Sequence, residues 1–425
     1  MNRLLFFVFS ITLITNVSAE DLTDIQISSP VMDKATISNE AIEEVDTRNA
    51  VDGGDLLKNI NGVNAIRRGG HGLDPVIRGQ SDQRLNTFLD GAMVYGACSS
   101  KMDPASTYAN VNNYDSVTVI KGTQSVLFGA GGPGGAVSFK RVTNPVTKSE
   151  FRLGQNFDSN AGAYTTSGNM IFPLSSKAYL RLNGSATNAG NYETGSGIKP
   201  LTEYSTTDYT AILGTLLSDG SKLEFNYTNN RQDKVGYPGL NMDIVYSYTD
   251  MYTLKYHRVT PFGIFSTMNV ELFNTDIDHL MDNVVLRGNT GNGVMANPTA
   301  SDTYGGRMIG TIGSDIRAGI DYEHNTKDAE QNMVMNGMNV FMTYLWPGVE
   351  TQKLGLFFEK DLNNISYGLR YDQVELDPTR AADNPGAGGM QKTANEVYTA
   401  DYDGTIVATK REFDNISGFL RINKD

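Results

Sequence analysis

The chain has 425 residues, a formal net charge of −13 and a mean hydropathy of −0.32. Its acidic balance argues against a nucleic-acid-binding protein, because nucleic acid is bound by clustered positive charge. No segment has the roughly 18 consecutive apolar residues that a membrane-spanning helix needs, so the sequence does not predict a helical membrane protein.

The first residues of the chain predict a signal peptide. Arg3 supplies a positive charge, Leu4–Ile14 is apolar, and Val17–Ala19 fits a cleavage site of small residues. We therefore expect the mature protein to begin at Glu20 and to be exported into an oxidising compartment. One cysteine, Cys98, cannot form an intramolecular disulfide there, so it is either inert or used for something else.

Residues 20–50 are polar and acidic and predict an N-terminal leader. Within Leu22–Pro30, Ile25 and Ile27 alternate with polar residues, which is typical of a segment that adds a strand to a partner. A disordered terminus explains the same composition. The sequence leaves both interpretations open.

Short helical and strand patterns alternate over the next hundred residues and predict an α+β domain. Leu56, Leu57 and Ile60 have helical spacing within Asp55–Ile60, with Gly62 as a stop. Further on, Asp103 and Pro104 predict a helix start, with the aspartate as cap and the proline at the first helical position. We expect strands at Val76–Gly79, Thr87–Asp90, Ser116–Lys121 and Ala136–Lys140.

From about residue 148 the chain alternates between apolar and polar residues in short runs. In one such run Phe225 and Tyr227 are on the face opposite to Asn226, and Ile316–His324 and Ile365–Asp372 follow the same period. An apolar face rich in aromatic residues and loops of unequal length predict an antiparallel transmembrane β-barrel. A soluble β-sandwich also alternates, but the signal peptide and the lack of disulfides favour the barrel.

Gly96–Pro104 contains the single cysteine, Cys98, and a methionine four residues later, Met102. A thiolate and a thioether are soft sulfur ligands, which select copper and above all Cu(I). In a helix the two side chains share a face, and in a loop the chain can still curl around one ion. A lone cysteine is commonly a small buried hydrophobe and a lone methionine commonly fills a core. The pair alone leaves these interpretations open.

The domain before residue 145 resembles the plug of TonB-dependent outer-membrane receptors. The resemblance is carried, in order, by Leu56–Val63, Ile77–Gly79, Leu89–Gly91, Tyr114–Gly122, Gln124–Gly129 and Gly134–Ser138. It implies a non-enzymatic receptor in the bacterial outer membrane, surrounded by lipid and driven by the TonB energy-transducing protein through the leader. Leu22–Pro30 lies where the TonB box of the family would be, although its residues match poorly. The predicted divisions are 1–19 signal peptide, 20–50 leader, 51–145 plug domain and 148–425 partial barrel.

Within that family, Gly96–Tyr108 is similar to the copper-receptor branch. There a Cys-x-x-x-Met pair on the plug is completed by a His-x-Met pair from the barrel wall, and His279 and Met281 have that spacing. The resemblance therefore implies that Cys98, Met102, His279 and Met281 bind copper, as ion or small complex.

The alternation of the sequence gives an independent test of the second pair. Side chains two apart on a strand point the same way, so His279 and Met281 share the more polar face of Met268–Asp282. Phe273 and Ile277 also fall on that face, and Asp278 falls on the supposed lipid face, so the strand has to extend above the bilayer near His279. Without the resemblance, a histidine and a methionine at a strand end indicate no metal.

Barrels of this family have about 22 strands, and residues 148–425 suffice for about half of them. The chain ends at Arg421–Asp425 without a terminal aromatic strand, so we expect a fragment or a truncated product of a longer receptor.

The prediction is a copper importer. The alternatives are a receptor for an iron chelate or other cargo and a non-functional fragment of such a receptor. A secreted copper enzyme would need a ligand cluster close in sequence, which is missing. A methionine group predicted in an extracellular loop fits adaptable apolar surface better than a second copper site; it comprises Met333, Met335, Met338 and Met342.

Overall fold

The computed structural model describes residues 37–42, 50–290, 293–335, 338–362, 364–378 and 410–422. The predicted signal peptide and the predicted strand-pairing segment Leu22–Pro30 lie outside these residues. In the described part of the chain, no helix is long and apolar enough to cross a membrane.

Seven short strands form the N-terminal domain, which we call the plug. They are β1 (Ile37–Ala41), β2 (Val63–Ile66), β3 (Asp74–Ile77), β4 (Leu85–Leu89), β5 (Ala92–Met93), β6 (Ser116–Lys121) and β7 (Gly135–Lys140). Five of them make one sheet in the order β1-β6-β7-β4-β5, in which β4 and β7 are parallel. β2 and β3 form a separate antiparallel pair. The edge strand β1 lies within the segment that we predicted as leader.

The helix of the plug is short and is determined by one acidic cap. Helix α1 covers Gly53–Leu57, two residues earlier at its start and three residues earlier at its end than the predicted Asp55–Ile60. The side chain of Asp52 accepts a hydrogen bond from the Asp55 amide at 2.8 Å, which satisfies a free donor of the first turn. Leu57 is fully buried, so tertiary packing holds a helix that is too short to be stable alone.

The rest of the described chain forms one antiparallel sheet of twelve strands, which we call the wall. Each strand pairs with its neighbours in sequence. The strands are β8 (Glu150–Asp158), β9 (Ala163–Pro173), β10 (Ala178–Ala189), β11 (Tyr204–Leu216), β12 (Lys222–Val235), β13 (Asp243–Arg258), β14 (Thr267–Asp282), β15 (Val294–Ile312), β16 (Ile316–Met335), β17 (Met338–Leu362), β18 (Ile365–Asp377) and β19 (Arg411–Ile422). This confirms the predicted fold class, with about half of the expected strands.

The two faces of the wall differ as the sequence predicts. On β12, Phe225 is 47 % exposed on the outer face, whereas Glu224 and Asn226 are buried on the inner face against the plug. An apolar outer face and a polar inner face are the arrangement of a barrel whose exterior contacts lipid. Successive side chains of a strand point to opposite faces, so this single alternation orients the whole strand.

The plug and the wall share a hydrophobic core. Met251 on β13 and Ile277 on β14 are buried among plug residues that include Leu57, Val117 and Phe139. The apolar Ile277 therefore lies on the inner face because it packs against the plug.

Candidate functional site

One carboxylate organises the plug loop that carries the predicted sulfur ligands. The side chain of Asp103 accepts hydrogen bonds from the amides of Ala97 at 2.7 Å and Cys98 at 2.9 Å. The expected helix after Asp103 is a single 3-10 turn, Ala105–Tyr108, and Asp103 does not cap it. The prediction of a capped helix was wrong because the carboxylate folds back onto the loop and leaves Pro104 at the cap position.

The two sulfur side chains of this loop both point into the protein. Cys98 is 3 % exposed and Met102 is 1 % exposed. A turn closes between them, with the Lys101 amide donating to the Cys98 carbonyl at 3.0 Å, and Lys101 has a left-handed backbone with φ of 58°. The wall holds the loop through the Tyr237 hydroxyl, which donates to the Met102 carbonyl at 2.7 Å. The pair is thus presented by a loop and not by a helix face.

The predicted wall pair lies near the end of β14. His279 and Met281 are buried on its inner face, and Asp278 is exposed on the outer face. Asp276 is aligned across β14 with Asp250 on β13 and Asp302 on β15. A row of acidic side chains on the outer face is unsuited to hydrocarbon, which supports the expectation that the strand extends above the bilayer near His279.

The two pairs meet between plug and wall. The Cys98 thiol lies 3.5 Å from the Met281 thioether sulfur. Both side chains share a buried cluster with Met102, and we call these three side chains the sulfur cluster. The Nδ1 atom of His279 is 3.9 Å from a carboxylate oxygen of Asp103, which lies next to Met102 in the chain. Three of the four predicted residues, Cys98, Met102 and Met281, thus share one buried cluster, and His279 approaches it at Asp103.

A comparison with family models matched residues 31–136 to the TonB-dependent Receptor Plug Domain. The plug described above is thus similar to the plug domains of TonB-dependent receptors. A comparison with curated protein sequences gave no match.

Solved structures extend the similarity of the fold to the wall. The chain superposes on the copper transporter OprC with a TM-score of 0.77 and 23 % identity, covering 91 % of this chain and 60 % of that one. The hemophore receptor HasR of Serratia marcescens, solved with its hemophore HasA and heme, superposes with a TM-score of 0.66 and 20 % identity, covering 91 % of this chain and 59 % of that one. The FrpB iron transporter of Neisseria meningitidis superposes with a TM-score of 0.64 and 14 % identity, covering 91 % of this chain and 62 % of that one. The chain thus spans about 60 % of the length of these transporters and has their fold.

The chemistry of the Cys98 thiol follows from its burial. Burial raises the pKa of the Cys98 thiol well above its usual range, and the nearby Asp103 carboxylate raises this pKa further. Cys98 is therefore a neutral thiol in the metal-free protein, and a metal that binds as strongly as Cu(I) has to displace its proton.

The imidazole of His279 is buried without hydrogen bonds to the described residues. It is 1 % exposed, and neither ring nitrogen has a hydrogen-bond partner in the described part of the chain. A buried polar atom without a partner costs on the order of 1–3 kcal/mol. An imidazole kept in this state is suited to a ligand that the protein chain itself does not supply.

Hard or borderline donors do not form a metal site by themselves in the described part of the chain. Among the described residues, no group of three or more His, Cys, Asp and Glu side chains is arranged to hold a metal ion. A site at the sulfur cluster depends on the thioethers of Met102 and Met281. That donor set fits Cu(I) and is poorly suited to Mg²⁺ or Ca²⁺.

Sequence reasoning missed three residues that surround the predicted ligands. Tyr108 donates to the Asp103 carboxylate at 2.6 Å, Tyr237 holds the Met102 carbonyl, and Asn297 pairs across the strands with Met281. The side-chain oxygen of Asn297 is buried without a partner in the described chain. Tyr108 falls inside the copper-branch motif, so its position was a usable signal, but no local pattern identifies the other two.

The predicted methionine group is not in a loop. Met333 and Met335 are on β16, whereas Met338 and Met342 are on β17, and the two strands continue as a hairpin. The two strands extend to the methionine group because each residue of β16 pairs with a residue of β17. The expected loop position was therefore wrong.

Proposed function

We propose that this chain belongs to a TonB-dependent receptor that imports copper, as an ion or small complex, across the bacterial outer membrane. Cys98, Met102, His279 and Met281 bind the copper between plug and wall. The leader contacts the TonB energy-transducing protein, and the activity is transport without enzymatic chemistry. The observation that carries the proposal is the buried sulfur contact between Cys98 and Met281, near the His279 imidazole, which has no hydrogen-bond partner among the described residues.

The site supports release as well as binding. Two proposed ligands are on the plug and two are on the wall, so any movement of the plug separates Cys98 and Met102 from His279 and Met281. A copper ion that needs all four donors then loses half of its ligands at once. This gives a physical route from a force on the plug to the release of a tightly bound soft ion.

A receptor for an iron chelate or heme is the second candidate, because two of the similar structures are the hemophore receptor HasR and the iron transporter FrpB. The side chains of the sulfur cluster are packed against one another, so a macrocycle cannot enter between them without displacing them. Iron chelates would have to bind elsewhere, and Cys98 and Met102 would then be incidental.

Metal content tests the proposal directly. We expect about one copper per chain in the protein purified from membranes, and none in Cys98→Ser or Met281→Leu. Met251→Leu is a matched control, because Met251 is equally buried between plug and wall but belongs to the hydrophobic core and not to the sulfur cluster.

Copper that is absent from the wild type, or retained in both ligand variants, would contradict the copper assignment. The second candidate predicts that outcome together with binding of an iron chelate.

A further inference from the structure

Asp103 uses most of its hydrogen-bonding capacity, but not all of it. It is 1 % exposed and accepts three hydrogen bonds in the described structure, from the amides of Ala97 and Cys98 and from the Tyr108 hydroxyl. An ionised carboxylate offers about four acceptor positions. Oδ2 accepts two of these bonds, from Ala97 and Tyr108, and Oδ1 accepts one, from Cys98, so the remaining position belongs to Oδ1. Oδ2 is the atom nearest to His279, so a hydrogen bond from the imidazole either competes with Tyr108 for Oδ2 or is made to Oδ1.

The wall faces this carboxylate with two neighbouring residues. Ser247 on β13 and His279 on β14 are cross-strand partners. The Ser247 hydroxyl is 3.0 Å from the Tyr108 hydroxyl, which in turn donates to Oδ2 of Asp103. The wall therefore reaches Asp103 by two routes, through Tyr108 and through the imidazole.

The direct route is incomplete. The 3.9 Å between Nδ1 of His279 and Oδ2 of Asp103 is too long for a hydrogen bond, and a shift of about 1 Å would make one. Histidines that bind metals through one nitrogen almost always donate the other N–H to a carboxylate, a carbonyl or a water. In the described structure, Asp103 is the carboxylate within 4 Å of this ring.

We propose that Asp103 is the positioning residue of the copper site, which accepts a hydrogen bond from Nδ1–H of His279 and so presents Nε2 to the copper. This inference rests on the proposed function. Asp103 thereby has two roles, because it also holds the amides of the loop that carries Cys98. Withdrawal of the plug removes two sulfur ligands and the hydrogen-bond acceptor of His279 in one movement.

The inference predicts a change in the electronic properties of bound copper. A carboxylate acceptor makes the imidazole a stronger donor, which favours Cu(II) relative to Cu(I). In Asp103→Asn we expect a 10- to 100-fold loss of copper affinity and a higher Cu(II)/Cu(I) midpoint potential. Each tenfold preferential loss of Cu(II) binding raises this potential by about 59 mV.

A second variant separates this role from mere folding of the loop. Tyr108→Phe removes one donor from Asp103 and leaves both amide hydrogen bonds in place, so the carboxylate becomes a stronger acceptor for His279. We expect the midpoint potential to fall in Tyr108→Phe and to rise in Asp103→Asn. Asp115→Asn is the matched control, because Asp115 is a plug carboxylate that binds Arg181 of the wall at 2.6 Å, outside the sulfur cluster.

The experiment measures copper stoichiometry, copper affinity and midpoint potential of the purified protein and its three variants. Opposite shifts in Asp103→Asn and Tyr108→Phe, with no shift in Asp115→Asn, support the assignment. A wild type that binds copper, with an unchanged potential in Asp103→Asn or a rise in both site variants, overturns the Asp103 assignment alone. A wild type that binds no copper overturns the proposed function as well.

Discussion

The plug contacts the wall in two chemically different ways. Around Asp90 the contact is ionic, because this carboxylate binds Arg141 of the plug at 2.5 Å and Lys255 of the wall at 3.2 Å. Around Cys98 the contact consists of thiol, thioether and an imidazole that has no hydrogen-bond partner in the described chain. The first contact joins oppositely charged protein groups, whereas the second consists of donors that suit a soft ion.

This difference separates a contact that holds the fold from one that is suited to a cargo. Burial alone would raise the pKa of Asp90, but Lys255 and Arg141 outweigh burial and hold this pKa at about 2. The ion pair therefore stabilises the docked plug at any physiological pH. The contact around Cys98 supplies soft donors, and the nearby His279 imidazole has no hydrogen-bond partner in the described chain. We therefore expect a soft ion to stabilise this contact more than the ionic one.

The largest expected effect is the loss of the ionic contact. Asp90→Asn leaves Arg141 buried without its carboxylate, and we expect the free energy of unfolding to fall by about 3–5 kcal/mol. Chemical unfolding of the detergent-solubilised protein measures this change. A loss below about 1 kcal/mol would mean that the ionic contact does not hold the plug.

Copper should stabilise the protein through the other contact. At free Cu(I) of about 100 times the dissociation constant, we expect the free energy of unfolding to rise by about 2.7 kcal/mol. Cys98→Ser should show no such rise, and Met251→Leu should keep it. Equal stabilisation of Cys98→Ser and the wild type would place copper binding elsewhere.

Acid should weaken the ionic contact selectively. Because the pKa of Asp90 is lower in the folded protein than in the unfolded chain, where it is about 3.9, its contribution is complete above that pH. It declines as the pH falls towards about 2. We expect the wild type to lose about 2 kcal/mol over this interval relative to Asp90→Asn. The same pH dependence in both proteins would contradict the prediction.

The smallest effect should come from replacing the His279 imidazole in the copper-free protein. His279→Leu removes two buried nitrogens that have no partner in the described structure, so we expect the free energy of unfolding to stay within about 1 kcal/mol of the wild type. His71→Leu is the matched control. His71 is also buried, but its Nδ1 is 3.0 Å from the Thr107 hydroxyl, so its replacement should cost about 1–3 kcal/mol. Equal losses in both variants would mean that His279 has a partner.

Much of the fold was predictable because it rests on local periodicity. The alternation of Phe225 and Asn226 correctly predicted the outer and inner faces of β12, and the β-branched run Ser116–Lys121 is a strand with the predicted bounds. The helix bounds and the role of Asp103 were not predictable in the same way. Both depend on partners that are distant from the local pattern, such as Leu73, whose amide binds the helix cap Asp52.

The sequence by itself determined which donors are available and which face of β14 carries them, because residue types and the period of two are local properties. Only the tertiary structure decided that Cys98 meets Met281, that Asp103 faces His279, and that Asn297 stands opposite Met281. The physical reason is that these contacts join distant parts of the chain. They depend on the register of the wall strands and on the docking of the plug, which the whole hydrophobic core sets together.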